Sequence, residues 1–366
     1  MFHTSIVETE NEMNVRKSRL RSSFILALIL ALGATALAVF WSSVIPPSFT
    51  RDNIEPLPKE PGQITFTASG DFGAGESAQS VFEQIGTVDP ALHLALGDFS
   101  YGETDTEQQW CSMVTDVVGQ TFPFQLIAGD HELNGEDGDL DTFTDCLPNQ
   151  LPGLEGNYGR QWYADVPRED PLVRLVMISP GLDFGSGPAS YQAGSQRYQW
   201  TAEAIAGARE ESIPWVVVGM HAPCLSMGEY GCTPGADITN LMLKKDVDLV
   251  LHGDEHLYQR TKQLALTQEC PRLRPETYSP ACVADDDANL AAGGGTVFVT
   301  AGTGGRDLRD VHLGDPEAPY FAASAGANKN PTHGNLHIRV TDEALTGRFL
   351  PASGGDFTDN FSIERR

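Results

Sequence analysis

Seven short apolar runs punctuate this chain, and most of them break off at a turn that carries aspartate or histidine. The runs are Ile64 to Ala68, Leu92 to Leu96, Phe124 to Ile127, Leu172 to Ile178, Trp215 to Val218, Val247 to Leu251 and Thr296 to Thr300. They are rich in Val, Ile, Leu and Phe and lack strict alternation, which predicts strands buried on both faces. Between them, stretches such as Ser77 to Ile85 and Thr201 to Arg209 have the length and composition of helices. The tail from Leu336 to Ile363 alternates more and reads as closing strands. The expected class is therefore α/β, with central sheets flanked by helices. Ligands in such folds gather beyond the carboxyl ends of strands.

The N-terminal part follows other rules. Phe24 to Trp41 is uncharged and follows Arg16, Lys17, Arg19 and Arg21. At roughly 1.5 Å per residue this run spans about 27 Å, enough for a bilayer core, and the basic cluster keeps the preceding tail in the cytoplasm. Ala36-Leu37-Ala38 also offers a peptidase site, so residues 23–45 read as a signal anchor or a signal peptide. The expected organisation is a basic cytoplasmic tail over 1–22, the membrane segment over 23–45, a linker rich in proline and charge over 46–62 and one catalytic domain over 63–366. That domain is exported, either membrane-anchored or secreted after cleavage.

All six cysteines lie beyond the membrane segment, as an oxidising compartment allows. Six cysteines permit fifteen connectivities. Sequence proximity favours Cys224 with Cys232 and Cys270 with Cys282, leaving Cys111 with Cys146. A formal charge of -26 and a pI near 4.5 argue against a nucleic-acid partner and favour a small substrate over a polyanion.

The polar residues after the runs form an ordered series: Gly70-Asp71-Phe72-Gly73, Gly97-Asp98-Phe99-Ser100-Tyr101, Gly129-Asp130-His131-Glu132, Val218-Gly219-Met220-His221 and Gly253-Asp254-Glu255-His256. A single Gly-Asp after a strand is usually a turn or a cap. Several on one rim make a concentration of negative charge that cations would relieve. The order resembles the five blocks of the calcineurin-like metallophosphoesterases, GDxG, GDxxY, GNHE, VxxH and GHxH, and the tyrosine of the second block marks the purple acid phosphatase form. Leu257 to Thr261 and Thr303-Gly304-Gly305 look like the continuation of that pattern, so the resemblance runs over roughly Thr65 to Ile363.

That resemblance implies a layered metallophosphoesterase sandwich that hydrolyses phosphoesters with two metal ions. It implies a first metal, Fe3+, on Asp71, Asp98, Tyr101 and His256, with Asp98 bridging to a second metal on Asp130, His221 and Asp254. Asp130 replaces the family's Asn and Asp254 replaces the first His of GHxH. The second site is thereby more oxygen-rich and more negative, and it takes a divalent ion (Mn, Mg, Fe or Zn) whose identity these changes alter. His131 faces the substrate phosphate as an acid in the family pattern, and Glu132 is read as orienting it. His93, His252, His312, His333 and His337 are read as structural. The expected reaction is phosphomonoester hydrolysis. Phosphodiester hydrolysis, or a membrane-tethered binding domain with a degenerate second site, are the alternatives.

Overall fold

The computed structural model describes residues 62–365 apart from 134 and 136; the stretches expected to form a cytoplasmic tail (1–22) and a membrane segment (23–45), and nearly all of the expected linker (46–62), lie outside the described residues. Among the described residues no helix is long and apolar enough to cross a membrane.

In chain order the strands are β1 (Gln63–Ser69), β2 (Leu92–Ala95), β3 (Phe124–Leu126), β4 (Glu155–Asn157), β5 (Gln161–Val166), β6 (Val173–Met177), β7 (Trp215–Gly219), β8 (Leu249–His252), β9 (Tyr258–Thr261), β10 (Gln263–Leu264), β11 (Val283–Asp285), β12 (Asn289–Ala291), β13 (Val297–Ala301), β14 (Phe321–Ala325), β15 (His333–Thr341), β16 (Ala344–Ser353) and β17 (Asn360–Glu364). The helices are α1 (Glu76–Val88), α2 (Glu107–Val118), α3 (Leu140–Cys146), α4 (Gln196–Glu210) and α5 (Ala236–Lys244). One sheet runs β12-β17-β16-β15-β1-β2-β3 and a second runs β14-β9-β13-β8-β7-β6-β5-β4. Each of the seven apolar runs read from the sequence overlaps one of these strands, and β15 to β17 form the closing antiparallel ladder of the tail.

Both sheets are mixed. In the first, β1, β2 and β3 are parallel; in the second, β6, β7, β8 and β13 are parallel. Parallel neighbours bring their carboxyl ends to one edge, so the turns after β1, β2 and β3 meet those after β7 and β8. The fully buried strands β2, β3, β6, β7, β8 and β13 carry the apolar composition that two-sided burial demands.

Helix α1 buries Ala78, Val81, Phe82, Ile85 and Val88, one stripe at helical spacing. Phe82 stacks on Phe72, and both rings pack edge-on to Trp110 of α2. The Trp110 indole N–H donates to the Gly73 carbonyl at 2.8 Å, which ties this aromatic cluster to the loop that carries Asp71. Truncating a buried aromatic of this kind typically costs about 3–5 kcal/mol.

The three disulfides close as sequence proximity indicates: Cys111–Cys146, Cys224–Cys232 and Cys270–Cys282. They suit an oxidising compartment.

His93 stacks on Phe124 at 4.6 Å and shares a 2.9 Å hydrogen bond with the Thr67 hydroxyl. Burial holds its ring down at about 3, against about 6.5 for a free imidazole. The stability tied to this neutral histidine is therefore fully present above about pH 6.5 and is lost as pH falls towards 3, at about 1.4 kcal/mol per pH unit in between. His93→Gln should flatten the acid limb of the stability curve by about one proton between pH 6 and 4. Urea unfolding at several pH values reads this directly, and equal slopes in the two proteins would rule the coupling out.

Candidate metal centre

The centre is built on strained turns. Asp71, Asp98, Tyr101 and Asp254 all have positive φ, at 63°, 56°, 52° and 66°. This left-handed region is uncommon for residues with a Cβ, aspartate being among the better tolerated, and such residues gather at functional sites. The turns also come very close together. A Cβ on Gly129 would overlap the Asp98 carboxylate, and one on Gly253 would come within 2.8 Å of Asp71 Oδ2. These two glycines thus make room for a neighbouring carboxylate, while Gly97 makes room for the His221 ring and the Gly129 backbone, and Gly70 for Leu96.

Two sets of candidate ligand atoms result, each with its members within 4.8 Å of one another: Asp71, Asp98 and His256, and Asp98, Asp130 and His221. Asp98 belongs to both. The Tyr101 hydroxyl lies 3.2 Å from Asp71 Oδ1 and 3.0 Å from His256 Nε2, beside the first set. Asp254 stands further back. Its Oδ1 is 3.9 Å from His221 Nε2, its backbone N–H donates to Asp71 Oδ1 at 3.1 Å, and its carboxylate falls outside both sets.

The histidines are oriented from behind. His221 Nδ1 lies 2.7 Å from the Leu96 carbonyl, a contact only an N–H can make. In the neutral ring Nε2 is then a bare lone pair facing Asp98 Oδ1 and Asp130 Oδ1, each at 3.2 Å. These approaches are close without hydrogen-bond geometry, and Nε2 and Asp71 Oδ2 are buried without partners among the described residues. Lone pairs turned on one another in a buried space require a proton or a cation between them. His256 is held the same way, with Nδ1 3.0 Å from the Asp307 carbonyl and Nε2 turned inward.

Charge in the cluster is strained as well. Burial pushes the Asp71 carboxyl well up, with Asp98 and Asp254 adding to the rise and His221 opposing it. Burial also raises Asp98, yet His221 and His131 outweigh it and bring the group to about 2. Asp254 is pushed up to about 6, by burial first and then by Asp130, Glu255 and Asp98 against His221. Burial pulls His221 down, but the carboxylates of Asp98 and Asp130 carry it well above its ordinary value. The donor set, two inward imidazoles among four carboxylates and a phenol, fits a pair of cations.

His131 is one-third exposed at the mouth of the cluster, with Nε2 3.8 Å from Asp98 Oδ2. Its Nδ1 lies 2.9 Å from Asp137 Oδ2. Glu132 does not orient it, contrary to the reading from sequence. The Glu132 carboxylate is buried and accepts the backbone N–H groups of Asp98 at 2.9 Å, Phe99 at 2.7 Å and Gly129 at 2.8 Å. It fastens the second and third turns together. Burial and then the Asp98 charge push it up to about 8, against those amides.

Other residues at this edge had no motif to reveal them. Asp137 is one. The loop after β13 brings in two cations: the Arg306 guanidinium lies over the Tyr101 ring at 4.5 Å and pairs with Glu103, and Arg309 lies over the Tyr230 ring at 4.7 Å and donates to the Asp254 carbonyl at 2.9 Å. With 24 Lys and Arg against 50 Asp and Glu, two arginines within four residues after Thr303-Gly304-Gly305 were the available signal. Of the remaining histidines, His93, His252 and His337 are buried in strands, His333 donates from Nε2 to the Arg306 carbonyl at 3.0 Å, and His312 donates from Nδ1 to the Gly228 carbonyl at 3.1 Å.

The sequence model of the calcineurin-like phosphoesterase family matches residues 64–258, just over half of the chain. Among curated proteins, a probable purple acid phosphatase 20 of Arabidopsis thaliana is 25% identical over 237 residues, covering 58% of this chain and 50% of the relative. Purple acid phosphatase 18 of the same plant is 24% identical over 208 residues, covering 55% and 45%. The chain thus spans about half the length of the curated relatives it matches. Among solved structures, a purple acid phosphatase from yellow lupin (Lupinus luteus) seeds superposes with a TM-score of 0.62 at 18% identity, over 85% of this chain and 55% of that one. At that identity the likeness shows the fold.

Proposed function

The chain belongs to the calcineurin-like phosphoesterase family, and from that premise we propose that residues 63–366 hydrolyse small phosphomonoesters at a two-cation centre, with phosphodiesters as the second substrate class. The observation that carries this reading is Asp98, the one carboxylate common to both sets of candidate ligand atoms. The first cation would be held by Asp71, Asp98, Tyr101 and His256, and the phenol favours Fe3+ there. The second, a divalent ion such as Mn, Mg, Fe or Zn, would be held by Asp98, Asp130 and His221, with Asp254 at longer reach. When bound, such a pair neutralises the carboxylates, polarises a phosphate oxygen and acidifies a water.

The chain's own residues supply the rest. His131, with one ring nitrogen on Asp137, turns the other towards the cluster, where it can give a proton to the leaving oxygen. Arg306 and Arg309 add positive charge at the edge of an otherwise acidic surface, which favours approach of a small phosphate anion. Glu132 keeps the turns at the spacing that two ions sharing a carboxylate need. Export, with residues 23–45 as anchor or cleaved signal and 46–62 as linker, belongs to the same proposal and is supported by the three disulfides.

The set-back of Asp254 favours one rival, a tethered binding domain whose second site has degenerated. Asp130→Asn combined with Asp254→His separates the two. In a working enzyme the double change should move metal preference from Mg or Mn towards Zn and keep turnover of a chromogenic monoester. A wild-type protein inert with Mg, Mn, Ca, Zn and Fe, whose double variant hydrolyses the ester, would establish the rival instead.

A further inference from the structure

Tyr101 is the most awkwardly placed of the candidate ligands. Its backbone lies in the left-handed region at φ 52°, where a bulky side chain is uncommon and persists only when its neighbours fix it. The hydroxyl end is set by Asp71 Oδ1 at 3.2 Å and His256 Nε2 at 3.0 Å. The ring itself meets Arg306 and His131. The guanidinium of Arg306 lies over it at 4.5 Å, and the His131 imidazole packs against it with centroids 4.3 Å apart and planes tilted by 50°. One phenol thus touches both the first set of candidate ligands and the candidate proton donor.

Arg306 is held in turn from several sides. Its backbone N–H donates to the Asp71 carbonyl at 2.9 Å, and its carbonyl accepts from His333 Nε2 at 3.0 Å. Its guanidinium pairs with Glu103, whose other oxygen accepts the Ala74 N–H at 2.7 Å. A Cβ on Gly73, a residue at φ 70°, would come within 2.7 Å of that same oxygen, so the loop after β1 is shaped to seat Glu103. An arginine that grips a phosphate does so with its planar fork of donors. Here the fork is engaged by Glu103 and the guanidinium lies on Tyr101. A cation over a ring face is attracted to the π electrons, more strongly where the pair is partly desolvated. It fixes the ring and draws on its electron density.

We propose that Arg306 is a positioning residue for the reaction: it holds the Tyr101 ring where the first cation needs the phenol oxygen and where the His131 imidazole packs. The proposal rests on the reading that Tyr101 holds that cation.

The full-length protein loaded with iron supplies a readout independent of turnover, because a phenol bound to Fe3+ absorbs visible light by charge transfer from ring to metal. R306M, close in length and uncharged, should move this band to lower energy, since no cation then steadies the ring's electrons. It should also lower kcat about tenfold, as loss of one partly buried cation–π contact allows, with KM changed by less than about twofold. The loss should be larger for alkyl than for aryl phosphates, as displacement of a proton donor requires. R306K, which keeps a cation, should restore most of both readouts. E103Q, which releases the guanidinium and leaves Arg306 in the chain, should shift both the same way by less, and it decides the matter if R306M does not fold. A wild type that takes up iron without the band would remove Tyr101 from the first site, and the proposal with it. A wild-type band unmoved in R306M and E103Q, or a rise in KM with kcat level, would overturn the role of Arg306 alone and leave the two-cation reading standing.

Discussion

Asp98→Asn should empty both metal positions together. The other candidate ligands each belong to one set, so replacing Asp130 or His256 should cost one equivalent of metal, while replacing the shared carboxylate should cost both. If bound cations supply about 4 kcal/mol of transition-state stabilisation, monoester turnover falls roughly a thousandfold. The fold should survive. The Asp98 anion raises both Asp71 and Glu132, yet His221 and His131 hold it at about 2, so its charge is a net favourable one in the metal-free fold at neutral pH. Metal-free Asp98→Asn should accordingly melt modestly below metal-free wild type, and a variant unfolded without metal would mean that Asp98 holds the turns rather than the ions.

The second large effect is expected at His131. Loss of a positioned acid typically costs about 10² to 10⁴ in rate, so His131→Ala should reduce turnover in that range with two equivalents of metal still bound. The loss should be greater for alkyl phosphates, whose leaving oxygen needs a proton, than for aryl phosphates, whose leaving group departs as an anion. Asp137→Asn should produce a smaller loss with the same leaving-group trend, because Asp137 acts through the ring it holds at 2.9 Å. Equal losses on both ester types, or loss of metal, would remove His131 from the role of proton donor.

The site was legible where local chemistry writes itself into short motifs. A strand that ends at Asp71 or Asp98 in the left-handed region, beside a glycine that lets the next turn approach, leaves a Gly-Asp pair in the sequence. The buried parallel strands were legible as apolar runs, and the disulfides as near neighbours. Strands such as β4, whose three residues are exposed, and β9, which contains Gln259 and Arg260, carry no such pattern. Gln259 and Arg260 are tolerated inside because distant residues satisfy them: Asp359, 99 positions further on, takes the Arg260 guanidinium at 2.6 and 3.0 Å. Glu132 shows the same limit. Its neighbour in sequence is His131, but beyond the Gly129 amide of its own turn its partners are the Asp98 and Phe99 amides of a different turn, and only the folded chain brings them together. Asp254 occupies a ligand position in the motif, yet its carboxylate lies outside both ligand sets, because a short side chain on the same turn cannot reach where an imidazole would.

The most direct test of the two-cation reading is metal analysis of the purified wild-type protein, combined with anomalous diffraction to place each ion. Two equivalents, with peaks on either side of the Asp98 carboxylate, are the predicted result. One equivalent, none, or a pair of ions that do not share Asp98 would contradict it.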